Sequence, residues 1–182
     1  MSCKISKPVD LTCEDKNKIG GTRQKVWVVS DLTGFSYTLG TNGYIESMTF
    51  GGTEGLVPFV GPRNTHSFGH TGVKSDSGSV YIQHNSQIGL ILSSPDEDAA
   101  AKELLAADLP QVFEDKNGEF FLVGARNGMT FTEGSQNSGT TPDGFQVATY
   151  TFQGEEKNMP LRILDTDAAT TLALLEGYEI GA

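Results

Sequence analysis

Apolar positions in this chain fall in short alternating or continuous blocks broken by glycine, the pattern of a protein built mainly from short strands. The first block is Lys25-Val26-Trp27-Val28-Val29-Ser30, rich in β-branched and aromatic residues. Phe35 to Leu39, a Gly40-Thr41-Asn42-Gly43 turn and Tyr44 to Phe50 together predict a hairpin. Gly51 to Pro62 is punctuated by glycine and proline, and predicts a long loop whose Leu56, Val57, Phe59 and Val60 pack against something. Further strands are expected at Thr65 to Val73 and Ser79 to Leu92. The second ends in the run Ile88-Gly89-Leu90-Ile91-Leu92, as a central strand does.

Two stretches carry helix signals. Ser94-Pro95-Asp96-Glu97 offers a capping serine, a proline at the first helical position and a glutamate three residues after the cap. That helix continues through Leu104-Leu105 and must stop before Pro110. Asp165 to Glu176 predicts a short C-terminal helix capped by Asp165 and ended by Gly177.

Between them lies the strongest hairpin signal, Gln111 to Lys116 and Glu119 to Gly124 around Asn117-Gly118. Read as a two-residue turn, it sets Lys116 opposite Glu119, Asp115 opposite Phe120, Glu114 opposite Phe121, Phe113 opposite Leu122 and Val112 opposite Val123. Phe113, Phe120 and Leu122 then share one face; Val112, Phe121 and Val123 share the other. Both faces need cover, either from helix and sheet of the same subunit or from a neighbouring copy. A second turn at Asn127-Gly128 leads to Met129 through Glu133, and Gly134 to Asp143 predicts a polar loop. Phe145 to Phe152 alternates cleanly as a strand, and Leu161 to Leu164 is the last one expected.

Composition agrees with a β fold: 22 glycines and 7 prolines in 182 residues point to many turns. The formal charge of −10 is unevenly placed. Met1 to Ser30 holds six Lys/Arg against three acids, which leaves −13 on the rest. An acidic body of that size repels nucleic acid rather than reading it. The chain divides into a basic arm, residues 1–21, and one β-rich domain, residues 22–182. The arm suits docking on the acidic body of a neighbouring copy. Its Cys3 and Cys13 have no nearby histidine and make a poor zinc site. No signal peptide or membrane span is expected, and the chain reads as made in a cytoplasm.

Catalytic chemistry finds no foothold. His66 and His70 lie in an extended context, where residues four apart stand about 13 Å from one another. Gly51-Gly52-Thr53-Glu54-Gly55 lacks the lysine of a phosphate loop, and no nucleophile elbow is present. Glu114-Asp115 and Glu155-Glu156 are neighbours that point to opposite faces of a strand. Asp96-Glu97-Asp98 is better explained as a helix cap than as a calcium loop. The expectation is a non-enzymatic structural protein with no catalytic residue, no cofactor-binding residue and no metal site.

The block Val112 to Gly124, the following Ala125-Arg126-Asn127-Gly128-Met129, and the strand from Gly144-Phe145 to Thr151-Phe152-Gln153-Gly154-Glu155-Glu156 resemble the tail tube proteins of long-tailed bacteriophages, especially those of Bacteroidetes-like hosts. The cysteine pair before Ile19-Gly20-Gly21 is similar too. The segment Gly51 to Thr71 stands outside the resemblance. What the resemblance implies is a β-sandwich or barrel-like subunit with a flanking helix. It also implies a homohexameric ring, stacking with copies of itself and with other tail proteins in the virion, around a channel that DNA passes through without specific binding. Two other readings remain open at this point: a capsid decoration or head–tail connector protein, and a carbohydrate-binding β-sandwich using Trp27 or the tyrosines.

Overall fold

The computed structural model describes residues 19–76, 78–92, 94–137, 147–164 and 167–180. Among these residues eleven strands form two sheets, and two helices flank them. In chain order these are β1 (Thr22–Val29), β2 (Ser36–Leu39), β3 (Ile45–Thr49), β4 (Leu56–Val60), β5 (Ser67–Lys74), β6 (Val80–Leu90), α1 (Pro95–Ala106), β7 (Gln111–Asp115), β8 (Phe120–Val123), β9 (Thr130–Asn137), β10 (Val147–Glu156), β11 (Leu161–Ile163) and α2 (Ala168–Gly177). The larger sheet runs β2-β3-β11-β8-β7-β1-β4 and the smaller runs β5-β6-β10-β9. Neither closes into a barrel, so the protein is mainly β with flanking helices and open sheets.

The apolar run of β1 has a simple cause. Its strand is buried on both faces, so both alternating sets must be hydrophobic. Val26 and Val28 point into a layer shared with the small sheet and α1, where they meet Ile88, Leu104, Phe113 and Phe152. Trp27 and Val29 point the other way, into a layer with Ile45, Phe120, Leu122 and Leu175 of α2. Two cores therefore lie back to back across the large sheet. Truncating Phe113 or Phe120, both essentially inaccessible, removes about 3–5 kcal/mol.

The β7–β8 hairpin forms, with a register one residue away from the expected one. Glu114 stands opposite Phe120, Phe113 opposite Phe121 and Val112 opposite Leu122. The turn holds three residues, Lys116, Asn117 and Gly118, and only Gly118 takes positive φ, at 81°. The Asp115 carboxylate accepts the backbone N–H of Asn117 and of Glu119, each at 2.8 Å, and favours a type I turn closed by a glycine bulge. Val112, Phe120 and Leu122 consequently share one face, and Phe113 and Val123 the other. Both faces are covered within the subunit.

Other boundaries shift as well. Leu56–Val60 is a strand, not a loop: its apolar residues pair with β1, from Val29 opposite Leu56 to Lys25 opposite Val60. Ser94 caps α1 with the reciprocal Glu97 contact, as its sequence demands. The C-terminal helix is capped by Asp167 with Thr170, not by Asp165, which lies outside the described residues. The polar stretch from Gly134 begins inside β9, which continues to Asn137; the remainder of that expected loop lies outside the described residues. So do Cys3, Cys13 and residues 1–18 of the arm.

Two buried histidines pin the layers together. His66 Nε2 lies 2.8 Å from Gln24 O, and its Nδ1 accepts the Gly89 N–H at 3.3 Å. His84 repeats the arrangement, with Nε2 2.9 Å from Asn158 O and Nδ1 accepting from Gly124 N–H at 3.1 Å. An Nδ1 that accepts must be unprotonated, so in each ring Nε2 carries the proton and donates. The close packing around His66 depends on glycine: a Cβ on Gly61 would sit 1.9 Å from Gly89 O.

Candidate assembly surfaces

The ionisable residues are used locally. Glu114 lies 3.1 Å from Arg23 Nε, and burial pushes its carboxyl above the usual range although Arg23 opposes the shift. Its sequence neighbour Asp115 serves the turn. Glu156 is buried and accepts the N–H groups of Arg126 and Asn127 at 2.8 and 2.9 Å, which orders the turn before Met129. Glu155 is exposed on the opposite face. Asp96-Glu97-Asp98 opens α1. Gly51-Gly52-Thr53-Glu54-Gly55 is the turn between β3 and β4.

His66 and His70 do not meet. His66 is enclosed before β5 begins, while His70 is exposed and stands opposite His84 across the β5–β6 pair. That pair was not foreseen, because it depends on the register of a hairpin. Among the described residues no three His, Cys, Asp or Glu side chains gather as metal ligands would. Trp27 is fully enclosed, with its N–H given to Glu179, so it offers no surface for stacking on a sugar.

The sheet edges are more telling. Each outer strand has backbone groups that a further strand could pair with. On β4, Leu56 N–H donates to Tyr178 O and Leu56 O accepts from Ile180 N–H, so Leu56 turns its polar groups outward and the C-terminal segment meets them. Two residues on, Pro58 shares that outward orientation and has no N–H to offer. The β4 edge is thus covered and then blunted. At the other end of the large sheet β2 is only four residues long.

The small sheet is built differently. Its outer strands β5 and β9 are each eight residues long and contain no proline. Its face away from the cores follows from the pairing and the burial alternation. Ser67, Gly69 and Thr71 of β5 lie level with Gln87, Asn85 and Gln83 of β6. Thr149, Thr151, Gln153 and Glu155 continue the face on β10, and Ser135 and Glu133 complete it on β9. Apart from Val73, Tyr81 and Val147, this face is polar; among the described residues it bears no lysine or arginine, and its charges there are Glu133 and Glu155. No one stretch of sequence announces it, since its members come from four strands.

The two ends of β1 differ in charge. Around Thr22 stand Arg23, Arg63 and Lys116, the last donating to Asn64 Oδ1 at 2.8 Å, with Ile19 beside them. Beyond Val29 lie Glu54 and Glu103. Lys25, one of the basic residues of the first thirty, is consumed inside the subunit by Glu176 and Glu179.

Searches among protein-family models, curated proteins and solved structures return no match to this chain.

Proposed function

We propose that this chain is a non-enzymatic structural protein of a phage virion, a tail tube subunit that joins copies of itself into rings and stacks them around a channel for DNA. The observation that supports this best is the small sheet, with two eight-residue edge strands that contain no proline and an outer face that bears no lysine or arginine among the described residues.

A sheet with two open eight-residue edges joins edge to edge with its own copies, β9 of one against β5 of the next, and such a series ends only when it closes into a ring. Six copies of a four-stranded sheet would give a barrel of about 24 strands. With strands roughly 4.8 Å apart and tilted about 40°, its backbone diameter is about 48 Å. Inward side chains reduce the bore to roughly 40 Å, still wider than a DNA duplex. The inward face would then be the glutamine, asparagine, threonine and serine surface described above. Phosphate finds no counter-charge there, so DNA passes without being held. The large sheet, with its covered and shortened edges, forms the outer wall and takes no part in ring closure.

Negative-stain electron microscopy of the purified protein tests the proposal. Rings or hollow tubes are the expected result. Stable monomers at high protein concentration would overturn it, and monomers that bind a phage capsid would favour a decoration or connector role.

A further inference from the structure

Three Asn-Gly steps occur in the chain: Asn42-Gly43, Asn117-Gly118 and Asn127-Gly128. All three share one covalent liability. The backbone nitrogen of the glycine can attack the asparagine Cγ, because a residue without a Cβ lets the two approach. In the fold each glycine N–H is held in a turn bond: Gly43 to Gly40 O at 3.0 Å, Gly118 to Asp115 O at 3.2 Å and Gly128 to Gly124 O at 3.0 Å. That guard is common to the three, so what distinguishes them is the side-chain amide and the room around the turn.

Two of the amides are tied down. Asn117 Nδ2 donates to Asp115 Oδ2 at 2.8 Å and to Ile19 O at 3.1 Å, and its Oδ1 accepts from Ile19 N–H at 2.9 Å. Its turn joins β7 to β8, in the middle of the large sheet. Asn127 Nδ2 donates to Glu155 O at 2.6 Å, and its own N–H is held by Glu156. Gly128 beside it is buried, and an added Cβ there would sit 2.3 Å from Asp108 O, so the backbone has no space to turn. Asn42 differs in each respect. Among the described residues its Nδ2 has no hydrogen-bond partner, while its Oδ1 accepts from Tyr44 N–H at 3.0 Å. That bond draws electrons from Cγ and makes it more open to attack. Asn42 and Gly43 are exposed, and a Cβ on Gly43 would meet nothing within 4 Å. The turn joins β2 to β3, and β2 is a four-residue edge strand paired with β3 alone, so it opens at low cost.

We infer that Asn42 is a deamidation site, and that the fold protects Asn117 and Asn127 from the same reaction. In the step the Gly43 nitrogen loses its proton to water or hydroxide and bonds to Asn42 Cγ. The Cγ–Nδ2 bond breaks and that nitrogen leaves as ammonia. Water then opens the cyclic imide at either carbonyl, to aspartate or to isoaspartate. Aspartate keeps an oxygen for Tyr44 N–H and adds a negative charge. Isoaspartate routes the main chain through the former side chain, one carbon longer, and so disrupts the pairing of Leu39 with Ile45 beside the turn. The inference does not depend on the assembly proposed above.

Peptide mapping by mass spectrometry tests this, on protein incubated at mildly alkaline pH both folded and in urea. A hydrogen bond on Nδ2 lowers the fraction of time the amide is free by about fivefold. In the folded protein deamidation at Asn42 is therefore expected to run at least about fivefold faster than at Asn117 or Asn127. In urea the three rates should converge, because the contacts that separate them are gone. Enzymatic methyl transfer to isoaspartate gives a second readout: the folded, incubated protein should accept methyl groups, and Asn42→Gln should lose most of them. Asn117 or Asn127 reacting first in the folded protein, or all three reacting alike, would overturn the inference. So would an Asn42 that stays intact in the fold while the unfolded chain reacts. A lead for Asn42 that is just as large in urea would overturn the protection assigned to the fold.

Discussion

Trp27 and Glu179 lie 152 residues apart, and the indole N–H of one donates to the carboxylate of the other at 2.7 Å. Lys25 meets the same carboxylate and stands 5.0 Å from the indole ring centre. The contact fastens the C-terminal segment to the first strand, and that segment in turn covers Leu56 on the β4 edge. Glu179→Ala would leave the enclosed N–H unpaired and should cost about 1–3 kcal/mol in denaturant unfolding. Glu179→Gln keeps an acceptor and should cost less. If both variants unfold like the wild type, the tie contributes nothing.

The same carboxylate makes stability depend on pH. Burial works against its ionisation, but hydrogen bonds from Lys25 and Trp27 and the Lys25 charge prevail and hold its pKa below the ordinary value of 4.5. The unfolded chain therefore binds the proton more readily than the folded one. The stabilisation is complete above pH 4.5 and is lost as pH falls from there through the folded value. Unfolding midpoints between pH 6 and pH 3 should drop more steeply in the wild type than in Glu179→Gln.

His66 and His84 act in a higher window. For both, burial lowers the pKa from its ordinary 6.5, while the carbonyls of Gln24 and Asn158 oppose that shift without cancelling it. Each Nδ1 accepts a backbone N–H, so protonation converts an accepted hydrogen bond into a clash of two donors. Here too the unfolded state binds protons first. Stability is full above pH 6.5 and declines as pH falls from 6.5 toward the lowered folded values. Thermal melts at pH 7.5 and pH 5.5 should show this decline, and His66→Gln/His84→Gln should start lower and vary less. A wild type equally stable at both values would take the histidines out of the account.

Glycine supplies a sharp test of the packing. Gly61→Ala would drive a methyl group into Gly89 O, whereas a Cβ on Gly69 meets nothing within 4 Å. The first variant should be strongly destabilised, by an amount in the range of core overpacking, about 1–3 kcal/mol or more. Gly69→Ala should be neutral or slightly stabilising, because alanine narrows the unfolded ensemble. Equal effects would mean that the β4–β5 connection does not pack against β6 as described.

Much of this fold was legible, and its failures have physical causes. The Ser94 cap, the β2–β3 hairpin and the central position of β6 follow from local chemistry, and each element stands where its residues placed it. The β7–β8 register did not, because Asn117-Gly118 supports two turns. The choice between them is made by the Asp115 side chain folding back onto the backbone, a contact no pattern of apolar residues encodes. β4 was hidden for a related reason: Pro58 reads as a strand breaker unless its N–H would have faced away from the sheet. The polar face of the small sheet was beyond reach altogether. Gln87, Thr151 and Glu133 become neighbours only through pairings across β6, β10 and β9, distances of 18 to 64 residues along the chain.

That face permits the most direct challenge to the proposed channel. A surface that lets DNA slide must lack fixed cations, since each lysine or arginine placed against phosphate adds affinity and releases counter-ions. Gln83 and Gln153 sit side by side, with Nε2 of one 3.3 Å from Oε1 of the other, at exposed or half-buried positions away from both cores. Gln83→Arg/Gln153→Arg should therefore leave the unfolding transition nearly unchanged. It should, however, give assembled tubes a retention of duplex DNA that weakens steeply with salt; six copies of two new cations supply about twelve phosphate contacts around the bore. The same pair of arginines at Ala99 and Ala106, exposed positions of α1 on the far side of the small sheet, should not. If both variants retain DNA alike, or neither does, then the small sheet does not face the channel.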